Sequence, residues 1–445
     1  MCLQNTRNCK KLKNKLIKVL PRQNFCLYLQ INYRTMKLGK HTLIIDGNYF
    51  VHSRLFVLPR PKKEQLLGDR DGQEQFMRKL CIDFASEVRK LTPFVDQIVV
   101  AVDSKSWRKD LFPAAEYKGT RVSDNSVNWE NVFNVYTEFQ AILAKRGVII
   151  HKVPGAEADD ILFGWSTQLN NEGKNCIVWT GDRDLIQLVD YNKATDAYTL
   201  WYYNSQRKLI AFEGFQELLE SAGTSTMSND DMLFNMSSNE VMNDKLKEDL
   251  QAWVLKNGVK IEEINCDDFI FSKILQGDKS DNIQSVVTWT KRTSSGSIRN
   301  YSITEKQALQ ILEKYREIEG NFHIDHFFSS DQVDTIVTMI HEVVGKSTIE
   351  EIRVRFNQNL DLMLLHYNTI PEGILKSIYN EIDKDFKVEP QLPGLTQMEK
   401  ILEGTEWSSN NAAGKGAPKS FDPFATLKLD EVDKLPETKK LNTLF

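Results

Sequence analysis

Acidic residues stand at or near the ends of five short segments, four of which follow an apolar run or a tight turn. They are Leu43-Ile44-Ile45-Asp46, Ile98-Val99-Val100-Ala101-Val102-Asp103, Gly155-Ala156-Glu157-Ala158-Asp159-Asp160, Val178-Trp179-Thr180-Gly181-Asp182-Arg183-Asp184 and Gly277-Asp278-Lys279-Ser280-Asp281-Asn282. A buried strand that ends in a carboxylate is a place to hold something, because ligands of open α/β sheets sit beyond the strands' carboxyl ends. Several such ends side by side gather more negative charge than a protein leaves unpaired. Hard divalent cations, Mg²⁺ or Mn²⁺, are the natural compensation for all-oxygen ligands. Two such ions facing a cleft imply phosphoryl chemistry. Each acid also has a plain structural alternative. Asp159 and Asp160 favour a helix N-terminus, Asp46-Gly47-Asn48 suits a turn after a strand, and Asp182 suits the cap of a helix starting near Asp184.

The elements that must position these acids follow from hydrophobic patterning. Strands are read at 42–46, 97–103, 147–153 and 176–180, and helices at about 73–91, 128–146 and 159–171. This alternation predicts an α/β fold with a mostly parallel central sheet flanked by helices. Residues 104–127 interrupt it with a basic segment interleaved with aromatics. Residues 205–270 read as two amphipathic helices, at 212–219 and 244–255, around a Ser/Thr/Asn/Met-rich loop. Beyond Gly277 the chain reads as largely helical, with candidates at 305–315, 332–344 and 371–382. From Gly404 a polar, flexible tail is expected. The resulting division is a basic, disordered extension (1–35), a core (36–210), an insertion with connecting helices (211–270), a helical domain (271–400) and the tail (401–445).

Asp46-Gly47-Asn48, Glu116-Tyr117-Lys118-Gly119-Thr120-Arg121, Gly155-Ala156-Glu157-Ala158-Asp159-Asp160, Thr180-Gly181-Asp182-Arg183-Asp184 and Gly277-Asp278-Lys279-Ser280-Asp281-Asn282 resemble, in order, the motifs of the 5′-nuclease (flap endonuclease) family. The phage 5′-exonuclease/ribonuclease H branch is the most similar, and the likeness covers roughly Leu43 to Ile283. It implies a PIN-like core, a helical arch near 104–127 and a C-terminal helix–three-turn–helix domain. It also implies two Mg²⁺ ions, or Mn²⁺, with Asp46, Asp103, Glu157 and Asp159 around the first and Asp182, Asp184 and Asp278 around the second. Asp160 and Asp281 are further ligands on this reading, or act through water. Lys118 and Arg121 would meet the scissile phosphate, and Tyr117, with Trp107 and Arg108, would receive an unpaired base and its strand. The family's glycine-rich duplex-gripping hairpin is replaced by a segment holding only Gly296, in which Lys291, Arg292 and Arg299 remain as contacts to the phosphate backbone.

The implied activity is 5′→3′ hydrolysis of DNA or RNA–DNA hybrid carrying a single-stranded 5′ end, by a monomer, in removal of primers or flaps at replication. Leu441, Leu444 and Phe445 resemble a sliding-clamp-binding peptide, and a single-strand-binding protein is the other candidate partner. The competing readings are a PIN-type endoribonuclease and a catalytically silent replisome protein. The net charge of −4 conceals a basic start: residues 1–35 carry eight Lys and Arg and no acid, and without these the remainder stands at −12. Met36 stands where a family member would begin, so the extension is read as upstream sequence without a role, in preference to a loosely ordered basic arm that binds nucleic acid. Six cysteines without a C-x-x-C pair suggest reduced thiols. The absence of a long apolar run or a secretory h-region suggests a cytoplasmic protein, in the host cytoplasm if phage-encoded.

Overall fold

All six residues of His41–Asp46 (β1) are buried, and their alternate side chains enter different cores. Leu43 and Ile45 join one apolar cluster, and Ile44 joins another on the opposite face. The same division holds in Val95–Ala101 (β2), where Ile98 and Val100 face one way and Val99 and Ala101 the other. A strand buried on both faces must be apolar at successive positions, the signature of a parallel sheet covered by helices. The computed structural model describes residues 41–57, 70–91, 93–111, 117–119, 127–221 and 238–385.

The central sheet has eight strands. β1 lies between β2 and Cys176–Trp179 (β4), parallel to both, and Ile149–His151 (β3) pairs in parallel with β2. On the other side Ala197–Tyr203 (β6) runs parallel to β4. Asp190–Asn192 (β5) and Lys208–Phe212 (β7) pair antiparallel with β6, and Lys260–Ile264 (β8) pairs in parallel with β7. One face is covered by Gly47–Phe56 (α1), Arg70–Leu91 (α2) and Trp129–Ala144 (α4), which follows the short helix Arg108–Leu111 (α3). The other face is covered by Ala158–Asn171 (α5) and by Glu372–Asp385 (α12), which returns from the far end of the chain.

Cys266–Gln276 (α8), Glu305–Glu319 (α9), Ser330–Val344 (α10) and Ile349–Met363 (α11) surround a third core containing Phe271, Tyr315, Ile336 and Phe356. α9 and α11 each begin with a full capping box, at Thr304/Gln307 and Thr348/Glu351. Such boxes satisfy orphan N–H groups at both ends of the motif. No helix of the described residues is long and apolar enough to cross a membrane. Cys81, Cys176 and Cys266 are free thiols.

The sheet is mostly parallel, as expected, but wider than the sequence pattern suggests. Residues 212–219 and 244–255 correspond to Phe215–Ser221 (α6) and Ser238–Asn257 (α7), yet the strands on either side of them were not expected. β7 spans the boundary drawn at residue 210. β8, Lys-Ile-Glu-Glu-Ile, is a half-exposed edge strand without clean alternation, which hides it from a pattern reading. Beyond Gly277 the chain is largely helical, as expected, with two additions. Thr288–Arg292 (β9) and Ile298–Ser302 (β10) form an antiparallel hairpin, and α11 is an additional helix.

Candidate active site

Helix capping places the acids. Asp46 ends β1 and caps α1, its Oδ1 accepting the Tyr49 N–H at 2.9 Å while Oδ2 accepts the Thr180 hydroxyl at 3.0 Å. Its neighbour must be glycine, since a Cβ on Gly47 would lie 2.1 Å from the Tyr136 hydroxyl. Asp103 follows β2, and its Oδ1 accepts the Ala158 N–H at 2.6 Å at the start of α5, while Asn48 donates to Oδ2. Asp182 follows β4 and caps the 3₁₀ turn Arg183–Leu188, accepting the Asp184 N–H at 2.9 Å. Asp159 sits in the first turn of α5 and forms no hydrogen bond or ion pair among the described residues.

A second group of acids is compensated by lysines. Lys118 Nζ lies 2.8 Å from Glu157 Oε1 and 3.7 Å from Asp281 Oδ2. Lys118 adopts φ +55° and its N–H donates to the Asp281 carbonyl at 2.8 Å, joining the segment before α4 to the loop after α8. Lys273, in the last turn of α8, lies 2.8 Å from Asp184 Oδ1 and 3.1 Å from Asp278 Oδ2. The Asp278–Ile283 loop is closed by reciprocal backbone bonds of 2.9 and 2.7 Å. It is anchored by Asn359, which donates to the Ile274 carbonyl at 2.8 Å and the Gln284 carbonyl at 2.9 Å. Gly277 opens the loop at φ +70°, where a Cβ would lie 2.5 Å from the Ile283 carbonyl oxygen.

The two groups differ electrostatically. Burial, with repulsion from Asp103 and Asp182, pushes Asp46 up to about 7. Burial and repulsion from Asp182, Glu157 and Asp46 push Asp159 well above the ordinary carboxylate range. Asp103 is raised by burial and by Glu157. Asp184 rises to about 6 through burial, despite Lys273. Glu157 moves the other way: against the effect of burial, Lys118 and Arg108 hold it down at about 2. Asp278 is also held down, by Ser280 and Lys273 acting against burial. The fold places Asp46, Asp103, Glu157, Asp159, Asp182, Asp184 and Asp278 near enough to act on one another electrostatically, with Asp281 joined to them through Lys118. Among the described residues no three His, Cys, Asp or Glu side chains close around a single ion. Glu157, Asp184, Asp278 and Asp281 face lysines instead.

Three expected surface contacts are overturned. Arg108 is 2% exposed, and its guanidinium bonds Glu157 Oε2 at 2.8 Å, Asp160 Oδ1 at 2.9 Å and the Leu362 carbonyl at 3.2 Å. Trp107 is buried and donates from Nε1 to Asp160 Oδ2 at 2.9 Å. Tyr117 is buried beside Ile283, Leu362 and Met363, its hydroxyl 3.2 Å from Glu157 Oε2. None of the three can offer a face to a base. Asp160, expected as a further ligand or as a group acting through water, is fully buried and occupied by Arg108, by Trp107 and by the Glu157 N–H. Lys291 and Arg292 are exposed on β9. Arg121, Leu441, Leu444 and Phe445, with the extension and the tail, lie outside the described residues.

Lys273, Asn48, Tyr136 and Asn359 were not singled out from the sequence. A lysine near a helix C-terminus is unremarkable as a pattern, and the other three owe their positions to contacts from distant elements. The Asn48 Oδ1 and Tyr136 hydroxyl oxygens are buried without a hydrogen-bond partner.

Residues 41–220 match the family described as 5′-3′ exonuclease, N-terminal resolvase-like domain. A 5′-3′ exonuclease of Buchnera aphidicola is 29% identical over 152 residues, covering 34% of this chain and 49% of its own. One of Mycoplasmopsis pulmonis is 26% identical over 180 residues, covering 39% and 52%. DNA polymerase I of Rhizobium leguminosarum is 27% identical over 160 residues, covering 35% and 15%. The matched region thus spans about half the length of the curated exonucleases and a small part of the polymerase. Among solved structures, a bacteriophage T5 flap endonuclease in a pseudo-enzyme-product complex with DNA and metal ions aligns with 78% of this chain and 100% of its own, at 14% identity and a TM-score of 0.46. T5 5′-exonuclease with bound zinc aligns with 78% and 99%, at 14% identity and a TM-score of 0.44.

Proposed function

We propose, on the premise that residues 41–220 belong to the 5′-3′ exonuclease family, that this chain is a metal-dependent 5′→3′ nuclease. Its substrate is DNA or RNA–DNA hybrid with a single-stranded 5′ end, cut near the junction with duplex. Its role is removal of RNA primers or 5′ flaps in DNA replication and repair. The supporting observation is the convergence of Asp46, Asp103, Asp159 and Asp182, from four separate elements, on the end of a parallel sheet.

The residues suit hard divalent cations. Asp46, Asp103 and Asp159 are carboxylates withdrawn from water beside other acids; Lys118 attracts Asp103 and Asp159, but among the described residues no lysine or arginine forms a direct ion pair with any of the three. Beside this group the Tyr136 hydroxyl is buried and unsatisfied. Asp46, Asp103 and Asp159 would hold one Mg²⁺ or Mn²⁺, with Glu157 joining them on release of Lys118 from its Oε1, and Asp182, Asp184 and Asp278 would hold a second. Bound cations supply activation of water and charge compensation at the phosphate. Lys118, anchored at the cleft by its own backbone, carries the positive group that stabilises charge on the phosphate under attack. Glu157 holds that ammonium in place until substrate arrives. The exposed cations of β9 and β10 (Lys291, Arg292 and Arg299) track the duplex backbone. Binding of a clamp through Leu441, Leu444 and Phe445, and a cytoplasmic monomer, belong to the same proposal.

The test compares wild type with Asp182→Asn on a labelled 5′-flap duplex, a nicked duplex and an RNA–DNA hybrid. Mg²⁺-dependent release of 5′ products by wild type, lost in the variant and with chelator, is expected. Retention of the flap without product by wild type would instead identify a binding protein.

A further inference from the structure

Two lysines stand where cations belong. Lys118 bridges Glu157 and Asp281, and Lys273 bridges Asp184 and Asp278. Asp46, Asp103 and Asp159 have no such partner among the described residues. The second bridge is compact. Asp278 has only Oδ2 to offer a cation, because Oδ1 accepts the Ser280 N–H and hydroxyl, both at 2.6 Å. Lys273 Nζ already holds that Oδ2 and the Asp184 Oδ1.

Resting on the nuclease reading above, we propose that Lys273 is a built-in competitor for the second cation. Its ammonium neutralises Asp184 and Asp278 in the metal-free protein, must leave before a metal can bind both carboxylates, and keeps that half of the site weak until a phosphate arrives. A divalent ion needs carboxylate oxygens at about 2.1 Å, so it and the ammonium cannot share the same two oxygens. The ammonium can leave without unfolding the site: the Lys273 side chain is partly exposed in the last turn of α8, on a flexible four-carbon stem. Once outside, it is a free positive charge at the cleft and pairs with a nucleic-acid phosphate. Phosphate and second metal then strengthen each other's binding by the same factor, since coupling between two ligands is reciprocal. A single arginine pinned inside the fold could not act this way, and the buried Arg108 shows the contrast: it is enclosed on three sides.

The test counts bound Mn²⁺ by electron paramagnetic resonance of the free ion, in the full chain without nucleic acid, for wild type, Lys273→Met and Lys273→Arg. A competitor predicts that Lys273→Met tightens the weaker site by about tenfold, whereas an orienting partner of a ligand, when removed, weakens metal binding by about 10–100-fold. Lys273→Arg, which keeps the charge, should retain a weak second site. Unchanged or weaker second-site affinity in Lys273→Met overturns the competitor while leaving the nuclease reading intact. Absence of any bound Mn²⁺ in wild type overturns both. Independently of any variant, amine-specific labelling of wild type followed by peptide mapping should show Lys273 becoming more reactive as Mg²⁺ saturates the site. Constant or falling reactivity refutes its release.

Discussion

Replacing Asp46 by asparagine should stabilise the metal-free protein at pH 8. Asp46 is 7% exposed, and burial with repulsion from Asp103 and Asp182 raises its pKa from 3.8 to about 7. A carboxyl whose folded pKa is raised favours folding when protonated and opposes it when ionised. Stability is therefore lost as pH climbs through the interval from the unfolded to the folded pKa, here about 4 to about 7. Every pH unit of that interval is worth about 1.4 kcal/mol, so Asp46 costs about 4 kcal/mol at pH 8, where it is ionised, and about 1.5–2 kcal/mol at pH 5, where folding requires it to take up a proton. Asparagine removes the charge but cannot accept from both Tyr49 and Thr180 as the carboxylate does, a loss of about 1 kcal/mol.

The expected net gain is about 2–3 kcal/mol at pH 8 and near zero to 1 kcal/mol at pH 5. Urea unfolding of chelated samples at the two pH values measures both. Saturating Mg²⁺ should cancel most of that advantage, because a ligand at about 100 times its Kd stabilises the native state by about 2.7 kcal/mol and the variant has lost a ligand. A metal-free Asp46→Asn protein that is less stable than wild type at pH 8, or one whose advantage does not grow from pH 5 to pH 8, would refute the account of the acid cluster as an uncompensated charge.

Arg108→Met should lower stability by about 3–5 kcal/mol in urea unfolding, because Glu157 and Asp160 lose their buried counter-charge; an unaffected midpoint would return Arg108 to a surface role. Gly47→Ala should destabilise by about 1–3 kcal/mol through overpacking against the Tyr136 hydroxyl. A double-mutant cycle with Tyr136→Phe should recover part of that loss in thermal unfolding, and strict additivity would show that this close approach is not the cause. Changing Lys291, Arg292 and Arg299 together to glutamine should weaken duplex binding and lower the slope of log K against log salt by about 0.9 for each phosphate no longer neutralised. Cleavage of a saturating substrate should be nearly unchanged, so a fall in kcat with an unaltered salt slope would place these residues elsewhere in the mechanism.

The sheet's central strands were legible because burial on two faces forces runs such as Leu43-Ile44-Ile45 and Ile98-Val99-Val100, which few other structures require. The edge strands were not, since β8 faces solvent along one side and its Glu262 and Glu263 carry no apolar period. The β9–β10 hairpin is almost wholly exposed and turns on a Thr-Ser-Ser-Gly-Ser segment, which reads as loop. Within the site, the acids could be read from their places after apolar runs. What could not be read is which basic and aromatic neighbours turn inward. Trp107 and Arg108 belong to a segment whose composition suggests a wet nucleic-acid surface. Their burial depends on Asp160, 52 residues from Arg108 in the chain, and on the Leu362 carbonyl, 254 residues away.

The capping and metal-binding interpretations of the acids are not rivals here, because a cap uses one oxygen of a carboxylate that has two. Asp182 shows this most simply: Oδ1 accepts the Asp184 N–H and fixes the direction of the side chain, leaving Oδ2 to the cleft. Asp278 repeats it with Ser280 on Oδ1 and Lys273 on Oδ2. Asp160 is the instructive exception. It sits in the same helical turn as Asp159, yet the Arg108 guanidinium bonds one of its oxygens as a buried counter-charge, while Trp107 Nε1 and the Glu157 N–H take the other. Asp159, one residue earlier, has neither oxygen so engaged, and its electrostatic neighbours are three carboxylates, opposed only in part by Lys118. Adjacent acids on one helix start thus divide into a structural anchor and a carboxylate without an ion pair according to whether a cation bonds them directly. The helix supplies the geometry for both, but only the acid without a directly bonded cation is left to attract one from outside, a position shared by Asp46 and Asp103, whose donors are all neutral.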